Sequence, residues 1–250
     1  MSQYQAYHDQ YQTEGYVVLR QFYSAEEINE LKREIDRYIA EVVPHLEKGA
    51  VFYHDADKPE TLKQINGFKE DAWFADFPLQ QRWKDLAVAL IGEEVTFKSP
   101  EWFNKPPATE HPTPPHQDNY YFNLVPCHVC TMWLALDDVD EENGCLRYVP
   151  GSHLKPVRPH LKTKVLGFSQ GIEDYGDEDY ATEVPIIMKP GDLVVHHGNT
   201  IHRADANKSD TRHRRSFALV FKGVSCQLDT EGMSRYEQSY KQQHQEMGLK

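Results

Sequence analysis

From residue 94 onward, the chain consists of short segments rich in β-branched and aromatic residues, separated by turn-forming residues. These segments lie at residues 95–97, 101–103, 129–136, 145–149, 184–188, 193–195 and 216–221. Asn143 followed by Gly144 predicts a hairpin, and the Pro-Gly pairs at 150–151 and 190–191 predict further turns. Many short strands with regular turns are typical of a jelly roll or a related barrel. We therefore predict a mainly β fold for this part of the chain.

Residues 1–93 carry the signals of two amphipathic helices. Ser24 and Glu27 have the spacing of a capping box, and apolar residues follow at helical spacing until a stop is expected before Pro44. A second run of helical spacing begins after Pro78 and ends at Gly92. Since each helix has one apolar face, we expect both helices to pack against the predicted sheet and brace it.

The chain of 250 residues contains no linker-like or low-complexity stretch, which predicts one domain spanning 1–250. Within it we expect a mainly helical bracing segment at 1–93 and a β core at 94–223. Residues 167–182 are rich in glycine and acidic side chains, which predicts a loop insert at the mouth of the barrel. The largely polar composition of residues 224–250 predicts a C-terminal tail with helical propensity.

The chain is acidic, with 27 basic and 39 acidic side chains and a formal net charge of -12. This excess disfavours nucleic acid and anionic membrane surfaces as partners. No apolar run approaches the ~20 residues that span a bilayer, which argues against a membrane protein. We therefore expect a small-molecule substrate, while the oligomeric state is not determined by the sequence.

The chain has four cysteines, of which Cys127 and Cys130 have the spacing of a redox or zinc pair. No second pair with this spacing is present to complete a zinc site. The pair leads into a predicted strand, where positions three apart face opposite sides, so we predict buried or edge thiols, with redox chemistry as the alternative. Residues 1–5 lack the features of a signal peptide, which predicts reduced thiols and a cytoplasmic location.

His116 and Asp118 are candidate metal ligands that follow a proline-rich segment at 112–115. On an extended backbone, residues two apart face the same side, so both side chains can reach one ion. A third ligand is available from His196, His197 or His202, and spacing alone does not choose among them. Two neutral imidazoles and a carboxylate can bind one face of an octahedral Fe(II) and leave three positions for a chelating cosubstrate and O2.

Three arginines near the last predicted strand are candidates for binding a carboxylate: Arg212, Arg214 and Arg215. Arg214 and Ser216 are two apart at the start of that strand, so both can donate to the same carboxylate. This favours Arg214 and leaves Arg215 and Arg212 as alternatives. A chelating 2-oxo acid presents such a carboxylate, so the residues predict an Fe(II)- and 2-oxoglutarate-dependent oxygenase.

The motifs of residues 64–221 resemble the phytanoyl-CoA dioxygenase-like family of Fe(II)/2-oxoglutarate-dependent oxygenases. They are His-Gln-Asp at 116–118, Trp-x-Ala-Leu-Asp at 133–137, Asn-Gly-Cys-Leu at 143–146, Val-Pro-Gly-Ser-His at 149–153, Pro-Gly-Asp at 190–192 and His-Arg-Ala-Asp-Ala-Asn-Lys-Ser at 202–209. The resemblance implies a double-stranded β-helix, a jelly-roll and cupin-like fold, at 94–223.

The resemblance implies that the catalytic, iron-binding residues are His116, Asp118 and His202. It implies cofactor-binding residues at Arg214, Ser216, Trp133 and Gln64, of which Arg214 binds the distal carboxylate of 2-oxoglutarate. It also implies that His197 is structural rather than a ligand. The expected cofactor is Fe(II), and the expected cosubstrates are 2-oxoglutarate and O2.

The expected reaction is hydroxylation of an unactivated C–H bond of a small metabolite, with release of succinate and CO2. Halogenating relatives replace the carboxylate at position 118 with a small residue, so the presence of Asp118 favours hydroxylation. Two alternatives remain: a cupin-like metal-dependent isomerase or non-oxo-acid dioxygenase, and a catalytically silent metal- or ligand-binding module. The first alternative does not require Arg214 and Ser216 on the last strand, and the intact metal and arginine motifs argue against the second.

Overall fold

A computed structural model describes residues 3–47, 49–55, 57–68, 71–98, 100–165 and 168–246 of the chain. Within these residues the α-helices are α1 (His8–Glu14), α2 (Ala25–Glu41), α3 (Ala72–Asp76), α4 (Gln81–Ile91), α5 (Asn119–Phe122), α6 (Asp177–Thr182) and α7 (Thr230–Glu246). The strands are β1 (Tyr16–Leu19), β2 (Val51–Tyr53), β3 (Leu62–Asn66), β4 (Val95–Phe97), β5 (Glu101–Lys105), β6 (Thr113–His116), β7 (Leu124–Val125), β8 (Val129–Ala135), β9 (Leu146–Tyr148), β10 (His160–Val165), β11 (Phe168–Ile172), β12 (Val184–Pro185), β13 (Leu193–His197), β14 (His202–Ala204), β15 (Arg214–Gly223) and β16 (Gln227–Leu228).

Two antiparallel sheets form the core of the fold. The larger has the strand order β1-β13-β8-β15-β5-β3-β2, with β4 also paired to β15. The smaller has the order β12-β9-β14-β6. The hairpin β10–β11 and the short antiparallel pair β7–β16, whose strands are distant in sequence, lie outside both sheets. This arrangement confirms the predicted double-stranded β-helix.

Both predicted bracing helices form on the outer face of the larger sheet. α2 begins with the capping box of Ser24 and Glu27, in which each side chain binds the other residue's backbone N–H. α4 ends at Gly92, whose φ of 87° is the left-handed conformation that glycine adopts without strain. Trp83 of α4 is fully buried in the core between the helices and the sheet. None of the described helices combines the length and apolar character that a bilayer crossing requires.

Side chains alternate between the two faces of the larger sheet, and each face contributes to a different hydrophobic core. In β8, Met132 and Leu134 face the helices, whereas Trp133 and Ala135 face the interior between the two sheets. In β15 the interior side includes Ala218. Because strand side chains alternate between faces, Arg214 and Ser216 lie on the same side of β15 as Ala218. The interior therefore receives polar side chains from one end of β15.

Residues 1–93 are mostly helical, and they also contribute three short strands to the larger sheet. β1, β2 and β3 belong to the larger sheet, where β1 pairs with β13 and β3 pairs with β5. The short, mixed sequences of β2 and β3 give weak strand signals, and pairing with longer strands stabilises them. The boundaries at 93/94 and 223/224 stay predictions.

The hairpin predicted at Asn143 and Gly144 does not form. The turn is present: Gly144 has a φ of 81°, and a side chain at this position would collide with the carbonyl oxygen of Asp205. However, β8 pairs with β13 and β15 in the larger sheet, whereas β9 pairs with β12 and β14 in the smaller one. The Asn-Gly turn thus connects two sheets instead of two paired strands.

The loop predicted at 167–182 contains regular structure, so that prediction is wrong. Position 167 lies outside the described residues, as do 1, 2 and 247–250. β11 pairs with β10, and α6 follows with acidic residues in its first turn, where they stabilise the helix dipole. The Asp179 carboxylate also accepts the backbone N–H of Gly176 at 3.0 Å. Acidic residues therefore start a helix here instead of marking a loop.

Candidate active site

Two of the candidate ligands face each other across a pair of strands. His116 ends β6 and His202 begins β14, and they are directly opposed in the antiparallel register. The Nδ1–H of His116 donates to the carbonyl of Pro114 at 2.8 Å, and that of His202 donates to the carbonyl of Thr200 at 3.0 Å. Because a carbonyl only accepts, each Nε2 is left unprotonated, which is the form that binds a metal.

Asp118 lies beside these two imidazoles, although its backbone is not extended as predicted. Its φ of -56° and ψ of -37° are helical, because Asp118 is the residue before α5. Its Oδ1 lies 3.5 Å from the Nε2 of His116 and 3.6 Å from the Nε2 of His202. The side chain thus reaches the histidines through a turn at the end of β6 rather than through strand alternation.

The second oxygen of Asp118 is held by two donors, of which the sequence analysis did not identify one and named the other, His196, only as a candidate ligand. Its Oδ2 accepts the hydroxyl of Thr131 at 2.6 Å and the Nε2–H of His196 at 3.0 Å. The Nδ1 of His196 in turn accepts the Tyr148 hydroxyl at 2.8 Å. Inward alternation along β8 and β13 could have indicated Thr131 and His196 from the sequence. With Oδ2 engaged, Oδ1 is the oxygen left for a ligand role.

The ligand atoms of His116, Asp118 and His202 all lie within 4.8 Å of one another. Burial raises the pKa of Asp118, but the neighbouring imidazoles outweigh this effect and hold that pKa well below its usual range. Burial, with His116 and His196 nearby, holds the pKa of His202 well below its usual range. A carboxylate and two imidazoles are therefore present together, and this donor set fits Fe(II).

Thr131 is a positioning residue for the Asp118 carboxylate. We expect Thr131→Val to weaken Fe(II) binding about tenfold, because outer hydrogen bonds that orient a ligand typically contribute 10- to 100-fold to metal affinity. Calorimetric titration of Fe(II) into the anaerobic protein measures this change. Thr96→Val, on exposed β4, is the matched control and should leave the affinity unchanged. Equal affinities for both variants would contradict this role.

Gln117 lies between His116 and Asp118 and links their segment to two other segments through hydrogen bonds. It is fully buried, and its Nε2 donates to the carbonyl of Asn199 at 2.8 Å. Its Oε1 accepts the backbone N–H of Arg158 at 2.8 Å. The first contact fixes the segment just before His202 to the segment of His116. Gln117 therefore positions ligands without facing the metal site.

His197 lies on the opposite face of β13 from His196, as strand alternation predicts. Its ring is near those of Tyr11 and His153, with centroids 6.1 and 5.3 Å away. Its Nδ1 accepts the backbone N–H of Asn199 at 3.0 Å. It is not part of the ligand cluster.

Burial, with His153 nearby, lowers the pKa of His197 to about 4. The unfolded chain binds this proton near pH 6.5 and the folded chain does not, so stability falls as pH drops from 6.5 towards 4. We expect this residue to remove about 2 kcal/mol between pH 7 and pH 5. Urea unfolding should show a correspondingly smaller loss for His197→Asn, whose amide oxygen can still accept from Asn199. An identical loss in both proteins would contradict the prediction.

Arg214 lies in the same cavity as the three candidate ligands. Its side chain is buried, and its guanidinium carbon lies 5.3 Å from the centre of the Trp133 ring. Its Nε has no hydrogen-bond partner, and no acidic side chain of the described residues forms an ion pair with it. Burial lowers its pKa to about 10, so it stays charged at neutral pH. A buried, unpaired guanidinium is costly unless an anion binds it.

The competing arginines already have carboxylate partners outside the cavity. Arg212 forms a two-pronged ion pair with Asp140, with distances of 2.8 and 2.9 Å. Arg215 forms another with Asp137, also at 2.9 and 2.8 Å. Of the three candidates, Arg214 alone is left with its charge facing the cavity.

The remaining predicted cofactor residues differ in position. Trp133 and Gln64 both line the cavity, and the Nε2 of Gln64 donates to the Oδ1 of Asn66 at 3.0 Å. Ser216 shares the inward face of β15 and is fully buried with an unpartnered hydroxyl. It is absent from the described residues that line the cavity. Trp133 and Gln64 therefore line the site, whereas Ser216 is buried next to it without lining it.

Comparison with known proteins places this site in a family. The sequence profile of the phytanoyl-CoA dioxygenase (PhyH) family matches residues 11–216. The chain belongs to the phytanoyl-CoA dioxygenase family. This membership confirms the predicted class, an Fe(II)- and 2-oxoglutarate-dependent oxygenase.

Individual members of the phytanoyl-CoA dioxygenase family and related solved structures match this chain over most of their own length. The peroxisomal phytanoyl-CoA dioxygenase of Bos taurus is 28% identical, with 90% of this chain and 70% of the relative covered. EvdO2 from Micromonospora carbonacea, crystallised with 2-oxoglutarate, has a TM-score of 0.72 and 27% identity over 89% of this chain and 91% of that one. The α-ketoglutarate-dependent epimerase SnoN has a TM-score of 0.68 and 25% identity over 88% and 83%.

Proposed function

We propose that this protein hydroxylates a C–H bond of a small metabolite, with His116, Asp118 and His202 as the ligands of Fe(II). One observation carries the proposal: the three ligand atoms lie within 4.8 Å of one another in the cavity that also holds the unpaired Arg214. An iron-binding face and a carboxylate anchor in one cavity are what a chelating 2-oxo acid requires. Bound Fe(II) supplies the redox chemistry that couples O2 to decarboxylation of 2-oxoglutarate.

The protein side chains position the reactants around that centre. Arg214 would bind the distal carboxylate of 2-oxoglutarate, and the face of Trp133 beside it would limit where the chain of the oxo acid lies. Gln64, on β3 of the same sheet, is a further proposed polar contact, whereas Ser216 would act only by supporting β15. The balanced reaction converts substrate, 2-oxoglutarate and O2 into hydroxylated substrate, succinate and CO2.

Anaerobic addition of 2-oxoglutarate to the Fe(II)-loaded protein tests the proposal. A weak visible charge-transfer band should appear only when both Fe(II) and 2-oxoglutarate are present. Admission of O2 should then give one succinate for each 2-oxoglutarate consumed. The proposal fails if 2-oxoglutarate binds equally well without a divalent metal, or if its consumption yields no succinate.

Similar proteins differ in the outcome of their reactions, since SnoN is named as an epimerase. For this protein the proposed outcome is hydroxylation. The retained Asp118 supports hydroxylation over halogenation. A screen of small metabolites for stimulated succinate release, repeated under 18O2, distinguishes the outcomes. A hydroxylated product gains one labelled oxygen, whereas an epimerised product gains none.

We also propose a cytoplasmic location, supported by four cysteines that are all free thiols. Cys130 is buried in β8 and Cys127 is half-buried, in line with thiols that have no redox partner. Imaging of a tagged protein in its native host would test this. A relative is named as peroxisomal, so a peroxisomal signal is the result that would contradict the proposal.

A further inference from the structure

The cavity carries more positive charge than iron and 2-oxoglutarate need. Apart from Asp118, the ionisable side chains that line it are imidazoles and three cations, Lys63, Lys105 and Arg214. This basic lining contrasts with the formal net charge of -12 of the whole chain. A cavity that reverses the sign of the surrounding protein concentrates anions.

A count of charges shows how the loaded site would be neutralised. Fe(II) and Asp118 together contribute +1, which the C1 carboxylate of 2-oxoglutarate neutralises. The distal carboxylate neutralises Arg214. Lys105 then remains, so the loaded cavity has room for one more negative charge.

Lys105 is well placed to bind that charge. It is directly opposed to Arg214 in the antiparallel register of β5 and β15, and its side chain is buried. Its Nζ donates to the carbonyl of His111 at 3.0 Å, and no carboxylate of the described residues lies within ion-pair distance. Burial, with the Arg214 guanidinium nearby, holds the pKa of Lys105 well below its usual range. Like charges side by side are unfavourable until an anion joins them.

The cavity-lining neighbours of Lys105 are basic or neutral, and the carboxylate of Asp205, outside the cavity lining, is the one acid among the described residues that acts on its charge. The rings of His54 and His111 stack with centroids 5.4 Å apart, and the buried Nε2 of His54 has no hydrogen-bond partner. Burial, followed by the charges of Lys63, His111 and Lys105, lowers the pKa of His54 to about 4. The four side chains therefore form one cluster, and it contains no acid.

We propose that the substrate of this enzyme carries an oxyanion, a carboxylate or a phosphate, which binds Lys105 at the end of the cavity lined by His54, Lys63 and His111. This inference rests on the proposed function, because 2-oxoglutarate must occupy Arg214 for Lys105 to face the substrate. It narrows the substrate class to small organic acids and phosphate esters.

Binding of simple probes to the Mn(II)- and 2-oxoglutarate-loaded protein tests this inference. The probes are butyrate, propyl phosphate and the neutral butyramide, followed through the broadening of their methyl proton resonances by Mn(II). We expect at least one anion to bind about tenfold more tightly than butyramide, as charge-assisted hydrogen bonds allow. The tighter of butyrate and propyl phosphate identifies the type of oxyanion.

Two variants assign the preference to one side chain. Lys105→Met and Lys105→Gln should both abolish it, and the glutamine can still donate to the carbonyl of His111. Lys155→Met, at an exposed position away from the cavity, should retain it. The dissociation constant of 2-oxoglutarate should change less than threefold in all three, which shows that the cavity is intact.

Three results would overturn the inference. They are no preference for either anion in the wild type, a preference that survives loss of Lys105, and a loss of 2-oxoglutarate binding in Lys105→Met as large as in Arg214→Met. The last would assign Lys105 to the cosubstrate. A wild type that does not bind 2-oxoglutarate would instead overturn the proposed function.

Discussion

Asp118→Ala is expected to lower 2-oxoglutarate turnover at least about 100-fold, a loss of about 3 kcal/mol in transition-state stabilisation. The carboxylate is the one anionic donor of the cluster, and its Oδ1 lies within 3.6 Å of both imidazole nitrogens. Without it, two neutral histidines would hold the metal weakly. Succinate release under saturating 2-oxoglutarate, together with Fe(II) titration, measures both effects.

The matched control for this substitution is Asp177→Ala, which removes an acidic side chain from the exposed first turn of α6. It should retain full activity and Fe(II) affinity. Thermal unfolding of both metal-free variants shows whether the fold survives. Near-normal turnover by a folded Asp118→Ala protein would contradict the ligand assignment.

Arg214→Met is expected to raise the KM for 2-oxoglutarate about 100-fold, because charged hydrogen bonds to a buried carboxylate contribute roughly 3 kcal/mol. Fe(II) affinity should change little, since Arg214 is not in the ligand cluster. The substitution also removes a buried charge without a partner, so the metal-free protein should become more stable. Steady-state kinetics measure the rise in KM, and urea unfolding of the metal-free protein measures the gain in stability.

Arg215→Met and Arg212→Met are the controls, because their guanidinium groups already bind Asp137 and Asp140 outside the cavity. Both should leave the KM for 2-oxoglutarate within about threefold of the wild type and should lower stability slightly, as for partly exposed ion pairs. If Arg214→Met has an unchanged KM, whichever control raises it takes over the anchoring role.

Local signals predicted the parts of the fold that depend on neighbouring residues. The capping box of Ser24 and the glycine stop at Gly92 gave both bracing helices, because each satisfies backbone groups within a single turn. Strand alternation placed His196 and His197 on opposite faces of β13. These features need only a short stretch of sequence, so one chain is enough to predict them.

The parts that depend on pairing between distant segments were not predictable in this way. The choice of His202 over His196 rests on β6 pairing with β14, which sets His116 opposite His202. Turn residues at Asn143 and Gly144 are the same whether a turn joins two strands of one sheet or passes between two sheets. Lys105 became notable only because its neighbour across the sheet is Arg214.

The imidazoles of His116 and His202 are each oriented by a carbonyl group only two residues earlier in the chain. Their aim is thus a local property of the backbone and does not depend on a bound ion. Iron should leave and return without any rearrangement of the strands. Chelator-treated protein should accordingly regain full turnover on simple re-addition of ferrous salt, with no refolding step.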